Sequence, residues 1–328
     1  MTRNQVLVLL NKSSGYISGE QMSQELHISR AAVHQAIKSL RNEGYIIDSI
    51  TNKGYCLQSS PDHITLTELS VLLPEERIQN IEYFQSIHST NTYCSLRAQQ
   101  GAEQGLIILA DHQSAGKGRL GRSFHSPEHC GIYCSYLMRP KTPPVDTSFM
   151  TAWVAVAVIR AIVEVYDVQP SIKWVNDILL NHRKIGGILT EMSIEPESGH
   201  IQHLIVGVGL NVLHQRSDFP EDLQSTASSL WLETGKKIPR ATLTAALIQS
   251  LDRLCADWPG EAPAYFQQYR EHCISLGREV QVLRQGIRSR GHAIDIDESF
   301  GLIIEFPNGS RETVRSGEVQ VRGLSGYV

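Results

Sequence analysis

Gln113-Ser114-Ala115-Gly116-Lys117-Gly118-Arg119-Leu120-Gly121-Arg122 follows closely on the apolar run Leu106–Ala110. That run reads as a buried strand, so the glycines and cations form the loop leaving its end. From Gly116 to Arg122, three glycines alternate with three cations in seven residues. Glycine lets the backbone approach a ligand closely, while Lys117, Arg119 and Arg122 supply positive charge. Such a loop suits a phosphorylated ligand. It is neither a Gly-x-x-x-x-Gly-Lys-[Ser/Thr] phosphate loop nor a dinucleotide fingerprint, because both must open a helix. Taken alone, the same residues also read as a flexible, solvated basic loop.

Other stretches lie outward from this one. Lys173-Trp174-Val175-Asn176-Asp177 and Arg183-Lys184-Ile185-Gly186-Gly187-Ile188 put lysines, amides and a small-residue strand together, as a ligand floor would. A hairpin turned by Asn176-Asp177 explains them equally well. Gly207-Val208-Gly209-Leu210-Asn211 ends a strand with small residues and one amide. Ser89-Thr90-Asn91 follows the strand Ile81–Ile87 and opens the helix Asn91–Gln100, where capping alone accounts for it. His125, His129, Cys130 and Cys134 have spacings that raise the idea of zinc. On a strand, however, residues four apart stand ~13 Å from each other, too far for one ion. No protein-bound metal is expected.

Around these stretches, strands (Ile132–Met138, Ile185–Met192, Leu204–Val208) mix with helices (Phe149–Tyr166, Ala241–Trp258, and one after Pro263). The succession predicts an α+β fold with helices on one side of a mixed sheet. Upstream, Ser18 and Ser29 sit as N-caps before amphipathic helices, and Gln21 completes a capping box with Ser18. Val33, Ile37 and Leu40 face inward, with Arg30, His34, Gln35 and Lys38 outward. Tyr45–Ile50 and Tyr55–Leu57, joined at Asn52-Lys53-Gly54, make a hairpin. Three helices and a hairpin predict a winged helix-turn-helix over residues 1–60. Its start-of-helix residues Ser29, Arg30, Ala31, His34, Gln35 and Lys38 would reach DNA. Six cations against four carboxylates give this segment a balance of only +2, so a protein-contact module remains the other reading. Residues 61–275 form the central domain. From 276 to 328, short strands and turns at Asp297-Glu298 and Pro307-Asn308-Gly309 predict a small SH3-like β-barrel.

Composition agrees with this partition. The chain has 328 residues, 41% hydrophobic and 20% charged, with a net charge of −4. It can bury sizeable cores, and it is not coated in basic residues. Its longest apolar run, Phe149–Ile159, ends at Arg160, short of the ~20 residues a bilayer needs. With no charged leader and six cysteines in so long a chain, the expected compartment is a reducing cytoplasm.

Together the motifs resemble those of the bacterial bifunctional biotin–protein ligase and biotin operon repressor family, across the whole chain. Ser-Thr-Asn, a Gln before Gly-Arg-Gly-x-x-Gly-Arg, Lys-Trp-Pro-Asn-Asp, Arg-Lys-x-x-Gly-Ile and Gly-x-Gly-x-Asn occur there in this order. Here they stand at residues 89–91, 113, 116–122, 173–177, 183–188 and 207–211. Lys117 replaces an arginine, Val175 replaces the proline, and Glu128-His129-Cys130-Gly131 departs from the usual glycine and asparagine. The resemblance implies a central domain like that of class II synthetases. It implies that biotin and ATP give biotinyl-5′-adenylate, whose acyl group passes to a lysine of the biotin carboxyl carrier protein of acetyl-CoA carboxylase. It places biotin on Ser89, Thr90, Asn91, Gln113, Lys117, Gly118, Arg119 and Lys184. ATP, with Mg2+, falls to Gly116, Lys117, Arg122, Asn176 and Asn211. Lys184, Arg119 and Arg122 act at the reacting centre, with Leu213–Thr226 covering the adenine side. An adenylate-bound homodimer would bind operator DNA. A ligand-sensing repressor without chemistry and a lipoate or octanoate ligase are the alternatives.

Overall fold

The computed structural model describes residues 2–141, 147–195, 197, 199–284, 287–315 and 318–321. Contacts divide the chain into two compact units, Met1–Gln79 and Asn80–Val328.

In the first unit, α1 (Thr2–Lys12), α2 (Gly19–Glu25) and α3 (Arg30–Asn42) precede the hairpin of β1 (Ile46–Ile50) and β2 (Gly54–Ser59). The serines cap as expected. Ser18 accepts from the Gln21 N–H at 3.0 Å and Ser29 from the Ala32 N–H at 3.1 Å. Val6, Leu10, Met22, Val33, Ile37 and Leu40 share one core, each worth about 1.5–3 kcal/mol of burial. Gly54 is required at the turn. Its φ is +108°, and a Cβ there would lie 2.1 Å from the Ile17 carbonyl oxygen, because Ile17 pairs with Tyr55. The unit runs beyond the boundary read after Ser60. Helices α4 (Leu66–Leu72) and α5 (Glu75–Ile78) belong to it, with Leu69 fully buried and Glu68 bonded to the Tyr45 hydroxyl.

The second unit centres on a seven-stranded mixed sheet. Its strands are β3 (Ile81–Ile87), β4 (Ile107–Gln113), β5 (Gly131–Met138), β6 (Ser171–Lys173), β7 (Asp177–Leu180), β8 (Arg183–Ile194) and β9 (Ile201–Asn211). Their order is β3-β4-β5-β9-β8-β7-β6, with β3 and β4 parallel and every other pair antiparallel.

Helices flank both faces of this sheet, which corrects the one-sided arrangement. Ser135 and Tyr136 are neighbours on β5, so their side chains point to opposite faces. The Ser135 hydroxyl lies 2.6 Å from Asn91 Oδ1 on α6 (Thr90–Gln99). Tyr136 donates at 2.9 Å to Asp252 on α9 (Arg240–Asp257). Beside α9 lies α7 (Thr147–Tyr166), bonded through Thr151 to Thr190 of β8 at 2.9 Å. Helix α7 outruns the apolar segment read from the sequence, and over Phe149–Tyr166 its mean hydropathy of 1.7 would suit a bilayer. Yet 72% of that window is buried, and its own Trp153 stacks on Tyr265. Here it serves as a core helix.

After α8 (Leu230–Thr234), α9 and α10 (Ala262–His272), the chain forms β10 (Glu279–Arg284), β11 (Ile287–Ile296), β12 (Leu302–Glu305), β13 (Arg311–Val314) and β14 (Glu318–Val321). They pair antiparallel in the order β13-β12-β11-β10-β14. Among the described residues no pairing joins β13 to β14; residues 322–328 of the expected barrel lie outside them. This sheet belongs to the second unit. Trp174 is buried and donates its indole N–H to the Phe300 carbonyl at 2.8 Å, while its backbone N–H reaches Ser275 Oγ at 3.0 Å.

Candidate functional site

A cleft of about 1010 Å³, its open mouth included, lies over the face of the sheet that carries α6. Small residues make room for it. On β9, a Cβ at Gly207 would stand 2.2 Å from Asn91 Oδ1, and one at Gly209 would stand 2.6 Å from the Phe124 ring. The glycines therefore let α6 and Phe124 settle against the sheet.

One end of the cleft is a buried polar wall. Gln113 Oε1 accepts from the Thr90 N–H at 2.8 Å and lies 3.0 Å from Thr90 Oγ1. The Gln113 amide donates to Ser126 Oγ at 3.0 Å. The Ser135 hydroxyl sits between Thr90 Oγ1 and Asn91 Oδ1, at 2.8 and 2.6 Å. Asn91 Nδ2 donates to the Leu189 carbonyl at 3.3 Å and to Glu191 Oε2 at 2.7 Å. Ser89, Thr90 and Asn91 are each at most 4% exposed. Ser89 also caps α6, through the Thr92 N–H at 3.5 Å. The capping and binding readings of this triplet are thus compatible.

The other end is cationic. After β4 the loop folds back as a hairpin: Gly118 N–H donates to the Arg122 carbonyl at 2.7 Å and Phe124 N–H to that of Gly116 at 2.8 Å. Leu120 (φ +56°) and Gly121 (φ +74°) turn its tip, with Leu120 67% exposed. The loop opens no α-helix, as read, and holds only a single 3-10 turn at Arg119–Gly121. Arg119 Nη1 donates to Asn176 Oδ1 at 2.9 Å, and Lys184 Nζ pairs with Asp177 Oδ1 at 2.6 Å. Burial works to raise the Asp177 carboxyl, but Lys184 and Lys173, with Arg119 behind them, hold it below the usual carboxylate range. Lys117, Arg119, Arg122, Lys173 and Lys184 thus share the cleft wall with a single carboxylate among the described residues. Such a surface selects for a polyanion.

Ser89, Thr90, Asn91, Gln113, Lys117, Gly118, Arg119, Arg122, Asn176 and Lys184 all line this one cleft. Two expected residues do not. Gly116, at the start of the loop, packs so closely that a Cβ would meet the Phe124 carbonyl at 2.4 Å. Asn211 is buried and donates to the Ser228 carbonyl at 3.0 Å. That bond orders the turn before α8, a backbone task outside the cleft wall. Phe124, Ser135, Lys173 and Asp177 do line or brace the cleft without having been given a role in it. Lys173 and Asp177 stood in the quoted motif; Phe124 and Ser135 carried no signal.

The zinc spacing comes apart in the structure. His129 pairs with Asp111 at 2.6 Å, and His125 bonds the Asp218 carbonyl at 2.8 Å. Burial pushes the Cys130 thiol up to about 12, away from the thiolate a metal takes. In the first unit, Ser29, Arg30, Ala31, His34, Gln35 and Lys38 are all exposed along α3. Arg30 is ion-paired with Glu20.

Comparison with known proteins agrees with this geometry. Residues 2–56 match a helix-turn-helix domain model, 83–211 the biotin/lipoate A/B protein ligase family, and 275–322 the biotin protein ligase C-terminal domain. The bifunctional ligase/repressor BirA of Bacillus subtilis is 33% identical over 309 residues, covering 93% of this chain and 94% of the relative. The chain belongs to the bifunctional ligase/repressor family. The Escherichia coli member is 27% identical and covered over 96% of both chains. A biotin protein ligase from Aquifex aeolicus, solved in complex with biotin and ATP, superimposes with a TM-score of 0.64 at 26% identity. The match covers 74% of this chain and 99% of that one. The family thus spans both units, helix-turn-helix and cleft alike.

Proposed function

We propose that the protein is an ATP-dependent biotin–protein ligase that also represses transcription through its helix-turn-helix. The observation that carries this reading is a single cleft with a buried polar wall at one end and five cations at the other. The wall would take the biotin head group, a neutral ring rich in donors and acceptors. Ser89, Thr90 and Gln113 would meet it directly. Lys117, Gly118 and Arg119 would close over its tail, placing the carboxylate beside Lys184.

The carboxylate must then attack the α-phosphate of ATP, bringing an anion toward a polyanion. Fixed positive charge is needed before the reaction, and Lys184, Arg119 and Arg122 supply it. Pyrophosphate leaves, and the mixed anhydride biotinyl-5′-adenylate remains under the loop, shielded from water. The ε-amine of a carrier-protein lysine next attacks the acyl carbon, and AMP leaves. Asn176, held by Arg119, would serve the nucleotide side. Magnesium fits as an ion arriving with the triphosphate. Asp177, together with phosphate oxygens, would be the hard oxygen ligands available to it, and it would neutralise phosphate charge.

The small C-terminal sheet would close as an SH3-like barrel bracing the cleft, to which it contributes Val319. The central sheet would be of the class II synthetase type. With the adenylate bound, two copies would pair and present two α3 helices to a two-fold symmetric operator, in the cytoplasm. A monomer persisting at micromolar concentration with adenylate bound, by sedimentation, overturns the dimer. The ligase reading is tested by ATP–pyrophosphate exchange. Exchange that depends on biotin is expected; no exchange, or exchange driven by lipoate instead, overturns it.

A further inference from the structure

A second cavity adjoins the cleft, lined by Tyr93, Leu96, Met192, His203 and Ile205. Ser89, Asn91 and Lys117 line both, so these residues form the partition between them. Glu191 grips two of the three. Its Oε2 accepts from Asn91 Nδ2 at 2.7 Å, and its Oε1 lies 3.8 Å from Lys117 Nζ. Asn91 has no amide hydrogen left for a substrate, since Nδ2 is spent on Leu189 and Glu191 while Oδ1 holds Ser135. Asn91 is therefore a link in a chain. From Ser126, hydrogen bonds run through Gln113, Thr90, Ser135 and Asn91 to Glu191, and an ion pair continues to the loop cation.

We propose that Glu191 is a positioning residue for the ligase reaction. It clamps Asn91 to Lys117, closing the partition and tying the base of the loop to the head-group wall. The proposal rests on the ligase reading above. Glu191 touches no reacting atom; it acts through Asn91, which shapes the wall, and through Lys117, which reaches the substrate's tail. The two contacts differ in kind. The Asn91 bond is charge-assisted, with its donor buried, and its loss leaves a buried amide unsatisfied. The Lys117 pair is half-exposed and screened by salt.

Two substitutions separate these contacts. Glu191→Gln keeps an acceptor for Asn91 and drops the ion pair. Its biotin KM should rise roughly two- to fivefold at low salt and converge on wild type at high salt. Glu191→Ala drops both, and its biotin KM should rise by about tenfold or more. The KM for ATP should rise less than that for biotin in each, because Lys117 also stands on the ATP side. A biotin KM within twofold of wild type in both variants at low salt, or an ATP KM rising in step with it, overturns the proposal. Where Glu191→Ala fails to fold, the glutamine variant decides, together with limited trypsin digestion of the ligand-free protein. Cleavage after Lys117 should accelerate about two- to fivefold in Glu191→Gln; unchanged cleavage overturns the clamp. The digestion needs no enzymatic activity. Absence of biotin-dependent exchange in the wild type would sink the ligase reading while leaving the clamp to be judged by it.

Discussion

The two ends of the cleft solve opposite problems with opposite materials. At the head-group end, Ser89, Thr90, Asn91 and Ser135 are buried, and the last three are bonded to one another or to their neighbours. Their geometry is set before any ligand arrives, which favours discrimination over adaptability. At the other end, Lys173 and Lys184 stand on β6 and β8, while Lys117, Arg119 and Arg122 are carried on an exposed hairpin whose tip, Leu120, is 67% exposed. Moving that tip sacrifices little buried surface, so the loop can open for substrate and close on product. Selection is fixed in a bonded wall, and three of the five charges hang on a loop beside it.

Substitutions on either side should therefore fail differently. The largest effect is expected from Lys184→Ala. It removes a cation from the reacting centre and leaves Asp177 without its 2.6 Å partner. The adenylation rate should fall by about 10²–10³, with biotin affinity changed far less, as stopped-flow and equilibrium titration would show. Loss of biotin affinity by the same factor would erase the contrast between the ends.

Acid should act next, and away from both ends. His214 is fully buried, stacked on Phe219, and among the described residues neither ring nitrogen has a hydrogen-bond partner. Burial lowers its pKa from 6.5 to about 4. Its neutral form thus contributes stability that is complete above pH 6.5 and is lost as the pH falls toward 4. The loss should reach about 3 kcal/mol, and denaturant titrations of His214→Phe should lack it. The Asp177–Lys184 pair behaves otherwise. Its carboxyl is held low, so its contribution is full above the ordinary carboxylate value and disappears only as the pH falls through the lowered one. A cleft failing at pH 5 in His214→Phe would show this assignment to be wrong.

Gly207→Ala probes the head-group wall alone. A methyl group there would overlap Asn91 Oδ1, displacing a side chain whose bonds are all committed. Biotin KM should rise by about tenfold or more at constant ATP KM. The smallest effect belongs to Leu120→Ser, which should alter each constant by less than about threefold. A larger change would mean the tip packs on the bound ligand.

How much of this the sequence disclosed follows from distance along the chain. The caps at Ser18 and Ser29, the inward face of Val33, Ile37 and Leu40, and the glycine–cation loop are local patterns, and each formed where it was read. Ser135 escaped notice because its partner Asn91 is 44 residues away and meets it only through strand order. Glu191 is 100 residues from Asn91. Gly116 and Asn211 stand in motifs but do not line the cleft: Gly116 packs against the Phe124 carbonyl, and Asn211 bonds the Ser228 carbonyl. A motif gives neighbours in the chain; register decides which of them face the cleft.

The account stands on the division of labour between wall and loop. Its most direct test is titration of wild type and Arg122→Ala with biotin, and then with a non-hydrolysable analogue of the adenylate. The analogue's affinity should fall by at least about tenfold in the variant while biotin binds within about twofold of wild type. Equal losses for both ligands would contradict the account.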